Sequence, residues 1–165
     1  MSHAAHPTRI WLAADWNAVY RCGGWAWLRQ AGGVLSGAVG GERQVSAERI
    51  ELAGLAAALA DLPKDAAVTV ETPSARLAAA APWIASEAAG ADAPEDDLDL
   101  WARITTGAQG RKVRIVRAPV EPRTPSAFSA AWAELARDKA KATGPFTAAI
   151  PKVNLAKVKG LGEGV

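Results

Sequence analysis

Two carboxylates stand where an acid has to be explained. Glu51 shares a helical stripe with Leu55, Ala58 and Leu62, at i+4, i+7 and i+11. An acid on that inward stripe must reach water at the helix end, meet a cation or sit on a metal. Asp15 ends the run TRIWLAADWN, which is otherwise made of core-type residues. On neighbouring elements, Asp15 and Glu51 form a candidate carboxylate pair for a divalent cation. Other chemistries are excluded by composition. One cysteine, Cys22, and two N-terminal histidines, His3 and His6, cannot build a Cys/His zinc quartet, and a single cysteine leaves no disulfide within the chain. Only Arg21 stands beside Cys22 to activate its thiol, so it reads as an ordinary one. A second chemical feature is basic: Arg111, Lys112, Arg114, Arg117 and Arg123, followed by Lys139, Lys141, Lys152, Lys157 and Lys159. These are candidate phosphate contacts, and the near absence of interleaved aromatics argues against base stacking.

The elements that must position these residues follow from period and punctuation. Residues 8–17 alternate as a strand, with Ile10, Leu12, Ala14 and Trp16 on one face and Trp11, Ala13 and Asp15 on the other. GGWAWLRQ from Gly23 and Val34–Gln44 read as two further strands, joined at Ala31-Gly32-Gly33 into a meander. Ser46 is an N-cap for a helix running to about Leu62, with Glu48 in its first turn and Pro63 stopping it. Ala66–Glu71 is a strand, Ser74–Ser86 a helix, Glu87–Asp97 an acidic loop, Leu98–Thr106 a short helix and Lys112–Ala118 a strand. Ser126–Thr143 is an amphipathic helix that Gly144-Pro145 ends, and residues 146–165 read as a basic, loosely held tail. This order predicts an α/β domain with a mixed five-stranded sheet, the later strands parallel to the first. Trp11, Trp25, Trp27, Trp83, Trp101 and Trp132 fall on these elements and are expected in the core, whereas Trp16 beside Asp15 belongs to the surface or the site.

The chain is 165 residues long, half of them apolar, which suits one domain with a packed core. Its net charge of +2 hides a division: residues 1–102 carry 7 basic and 13 acidic side chains, residues 103–165 carry 12 and 4. A polyanion-facing side is one expectation from that asymmetry. No apolar stretch approaches a membrane span, Met1–Arg9 lacks the apolar core of a secretory signal, and lone Cys22 fits a reducing setting, so a cytoplasmic location is expected.

LAADWN, GGWAWL, SAERIELAGLAAAL, VTVETPSARL, PWI, DLDLWARI, KVRIVRA and AWAELARDKA, in that order over about residues 8–142, resemble the ribonuclease H family. The resemblance implies strand order 3-2-1-4-5 with strand 2 antiparallel and helices on both faces. It also implies hydrolysis of the RNA strand of an RNA–DNA hybrid by four carboxylates holding two Mg²⁺ ions. Carried over residue by residue, the first carboxylate matches Asp15 and the second matches Glu51. The third falls on Pro73, the fourth on Ala133, and the family's loop histidine has no counterpart in Val120–Pro125. Glu71, two residues before Pro73, is the candidate substitute, whereas Glu134 and Asp138 are expected to point elsewhere. The glycines of the family's substrate loop are also missing after Asp15. Its basic handle is replaced by the acidic stretch containing Glu87, Asp92, Glu95, Asp96, Asp97 and Asp99.

The expectation is therefore a ribonuclease H-like domain over residues 1–145 with an incomplete metal site at Asp15, Glu51 and Glu71. That site would hold one weakly bound Mg²⁺ or Mn²⁺ at most. Nucleic acid, met through Arg111, Lys112, Arg114 and Arg117, or a protein partner would be bound with weak or no hydrolysis. The alternatives are an active metal-dependent endonuclease on RNA–DNA hybrids and a purely structural interaction domain.

Overall fold

The computed structural model describes residues 7–81, 84 and 95–161. Trp83, the histidines and most of the acidic loop, including Glu87 and Asp92, lie outside the described residues. The chain runs β1 (Thr8–Asn17), β2 (Cys22–Ala31), β3 (Val34–Glu42), α1 (Ala47–Leu59), β4 (Ala67–Thr72), α2 (Ala75–Ala79), α3 (Leu98–Ala108), β5 (Lys112–Arg117), α4 (Pro125–Thr143), β6 (Phe146–Ala149) and α5 (Lys152–Leu155). One sheet of order β5-β4-β1-β2-β3-β6 collects all the strands. β2 is antiparallel to β1, while β4 is parallel to both β1 and β5. The expected order 3-2-1-4-5 is present, and a sixth strand beside β3 corrects the expected count of five.

β1 is central and covered on both faces, so its two alternating sets feed two cores. Ile10 and Leu12 join the α1 side, and Trp11 and Ala13 join the α4 side. Gly32 and Gly33 both have positive φ, at 57° and 80°, the requirement of a two-residue type I′ hairpin between β2 and β3. Ser46 caps α1 by accepting from the Arg49 amide at 3.0 Å. The helix ends at Leu59, short of the expected Leu62, because Asp61 enters the left-handed region and Pro63 demands an extended neighbour. Trp25 and Trp27 are buried on the α1 side, and Trp101 and Trp132 are partly buried against the cores.

On the opposite face α4 lies against the sheet backbone. A side chain at Gly24 would strike Arg137, Ala133 and Ala136, and one at Gly41 would meet the Ala140 Cβ at 2.7 Å. Ala133 and Ala140 are fully buried in this seam of small residues. The expectation of a loose tail from residue 146 is corrected as well. Phe146–Ala149 pairs with β3, Ile150 and Leu155 are buried, and Val158 and Leu161 pack on the α4-side core. The signal was weak in the sequence because this strand is only four residues long and two of them are alanine.

Candidate functional site

Asp15 lies opposite Gly24 in the β1–β2 pair, on the face that α4 covers. One turn after Ala133, Arg137 reaches down from α4 and donates from Nη1 to Asp15 Oδ2 at 2.7 Å. The same guanidinium donates to Asp138 Oδ1 from Nε and Nη2, at 3.1 and 2.9 Å, and stands 3.9 Å from Glu134. The Asp138 hydrogen bonds, reinforced by the negative charges of Asp15, Asp138 and Glu134, hold Arg137 above its ordinary pKa. Glu51, on α1 across the sheet, accepts from Arg76 Nη1 of α2 at 2.6 Å. Glu71 accepts from Arg9 Nη2 at 2.7 Å. Each expected site acid therefore has an arginine of its own.

Register shows what is brought together. Glu71 is level with Trp11, about 13 Å before Asp15 at the strand rise. It turns to Arg9, so the structure does not place it as a stand-in for the missing third ligand. Pro73 supplies no ligand atom. Ala133 is fully buried in the seam with Gly24, where a carboxylate would have neither room nor water. Among the described residues, no group of three or more Asp, Glu, His or Cys side chains is positioned to hold a metal. The residues present do not fit the paired-ion centre that the resemblance implied, since two adjacent divalent ions need more negative charge than Asp15 and Glu51 supply.

Several arginines are structural in ways the sequence did not announce. Arg49 binds Asp99 with two nitrogens, at 3.0 and 2.8 Å, and Asp97 at 3.0 Å, tying α1 to the start of α3. Hydrogen bonding to Arg49 holds the Asp99 carboxyl down at about 2. Two acids of the stretch expected to repel phosphate are thus locally neutralised. Arg111, expected among the nucleic-acid contacts, donates to the carbonyls of Leu62, Pro63, Gly107 and Gln109 at 2.7–3.1 Å. Those carbonyls hold its guanidinium as a clamp between the α1–β4 loop and the end of α3. Lys112, Arg114 and Arg117 are exposed on β5, the edge strand. Trp16 donates its indole N–H to the Val45 carbonyl at 2.7 Å and braces the loop before α1.

No family profile and no curated protein matches the chain. Solved structures do. The N-terminal RNase H domain of rv2228c from Mycobacterium tuberculosis, a fusion with maltose binding protein, superposes with TM-score 0.64 at 14% identity, covering 82% of this chain and 96% of that one. LC11-RNase H1, in complex with an RNA/DNA hybrid, gives 0.60 at 16% identity over 81% and 98%. RNase H1 from the halophilic archaeon Halobacterium salinarum gives 0.53 at 18% identity over 81% and 99%. At these identities the likeness is one of fold.

Proposed function

Taking the ribonuclease H fold as premise, we propose that this chain is a non-hydrolytic member of that fold which binds nucleic acid through phosphate contacts. Fold alone does not fix activity, so the site has to carry the reading. What supports it is the pairing of Asp15 with Arg137 and of Glu51 with Arg76, at 2.7 and 2.6 Å. A guanidinium on each remaining acid supplies the positive charge that a metal would otherwise bring, without an exchangeable water to activate. A single Mg²⁺ or Mn²⁺ would have to displace both arginines and would then find too few anionic ligands.

Exposed basic residues on the edge strand β5, two strands away from β1 and Asp15, supply the means of binding. The test is incubation with labelled RNA–DNA hybrid in Mg²⁺ and in Mn²⁺, with Asp15→Asn and Glu51→Gln as controls. The expected result is salt-dependent binding and an uncut RNA strand in all three proteins. Cleavage by the wild type that disappears in Asp15→Asn would restore the endonuclease reading.

A further inference from the structure

We propose that the α4-side face of β4 and β5, centred on Lys112 and Arg114, holds the phosphate backbone of a nucleic-acid duplex. The proposal rests on the nucleic-acid reading above and assigns it a surface away from Asp15 and Glu51. The argument begins with alternation. Ala67, Thr69 and Glu71 lie level with Lys112, Arg114 and Val116 across the parallel β4–β5 pair, so these six side chains share one sheet face. The opposite face is covered: Val68, Val70 and Ile115 are buried beneath the α1 side. On the face of Lys112, α4 packs over β1, β2 and β3 and stops short. Ala67, Lys112 and Arg114 are consequently exposed, and Thr69, Glu71 and Val116 half-buried.

A half-open sheet face invites partners, and its side chains say which kind. Arg9 lies level with Thr69, which lies level with Arg114, so a row of Arg9, Thr69 and Arg114 crosses three strands. Arg9 is pinned between Glu71 and the ring of Trp11, 4.7 Å from its centroid. Among the described residues neither Lys112 nor Arg114 has an ion pair. At the margin, Ser129 of α4 donates to the Trp11 carbonyl, and one turn earlier the helix begins beside Arg123. Gly160 packs close to the Arg123 carbonyl. Against these bases stand Glu71, already paired, and Glu121.

The chemistry favours a duplex backbone. Trp11 is buried beneath Arg9, so among the described residues this face presents no aromatic platform of the kind that single strands require. Unpaired cations about 7 Å apart along β5, with a threonine hydroxyl between the arginines, suit regularly spaced phosphates without reading bases.

The experiment measures fluorescence anisotropy on labelled RNA–DNA hybrid, double-stranded DNA and single-stranded DNA across a salt series in EDTA, where hydrolysis cannot intrude. The double variant Lys112→Ala/Arg114→Ala is expected to lose about tenfold in affinity for both duplexes at about 100 mM salt. Its slope of log K on log[salt] is expected to shrink by about 2. Arg103→Ala, exposed on α3 on the opposite side of the sheet, is the control and is expected to bind as wild type. An unchanged slope in the double variant, with binding lost instead in the control, overturns this surface while leaving nucleic-acid binding intact. A preference for the single strand overturns the duplex assignment. No salt-dependent binding by the wild type overturns both this surface and the function it rests on.

Discussion

At the scale of single residues, the candidate site is defined as much by an alanine as by its acids. Ala133 is fully buried where α4 presses on the backbone of β2 at Gly24. A carboxylate placed there would enter the seam rather than a solvated pocket. Ala133→Asp is expected to lower stability by about 3 kcal/mol or more, the cost of an unpaired buried charge, and to leave the hybrid uncut. Pro73→Asp, at a half-buried position, is expected to stay within about 1 kcal/mol of wild type. Urea unfolding of the two variants checks the contrast. Equal losses would mean that the α4 seam is looser than its packing indicates.

At the scale of elements, arginines tie helices and loops together. Arg49 joins α1 to the N-terminal end of α3, and Arg111 joins the far end of α3 to the loop after α1. Asp97, at the N-cap of α3, has φ 55° and makes no side-chain cap hydrogen bond, and its carboxylate serves Arg49 instead. The Asp99 carboxyl titrates at about 2 in the folded protein against an ordinary 3.8. A depressed folded value means that the tie contributes fully above about pH 4 and is lost as pH falls towards 2. Amide exchange in α3 relative to α1 is therefore expected to rise over that window. Asp99→Asn is expected to show faster exchange already at neutral pH and a flatter acid response. Identical acid responses in the two proteins would remove Asp99 from the tie.

At the scale of the whole molecule, the C-terminal residues complete the sheet and one of its two cores. Truncation after Gly144 removes β6 and the buried Ile150 and Leu155. With about 1.5–3 kcal/mol for each large apolar side chain, the expected loss is about 3–6 kcal/mol, before counting the exposed edge of β3. Thermal unfolding with and without residues 145–165 measures it. An unchanged Tm would return this segment to the status of a tail. The paired acids and the bases of the half-open face also occupy different places. Asp15, Glu51 and the Asp97–Asp99 stretch gather towards one end of the sheet, while Arg9, Lys112 and Arg114 occupy the half-open face of β4 and β5.

Much of this was legible in the residues. Period-2 alternation in 8–17, the Gly32-Gly33 turn, the Ser46 cap and the β-branched run in β4 are local signals, and each element formed where its own side chains required it. The strand order followed because helical crossovers make the later strands parallel. The absence of acids at positions 73 and 133 was likewise plain to read. Other features were settled only by tertiary structure, since they depend on residues distant in the chain. Arg137 is 122 positions from Asp15, Arg9 is 62 from Glu71, and the carbonyls of Leu62 and Pro63 lie 49 and 48 positions before Arg111. Whether an arginine faces a carboxylate, a carbonyl or solvent is decided by which elements pack together, and no local pattern encodes it. Composition and period determined the fold and the acids it lacks; packing decided where each remaining charge finds its partner.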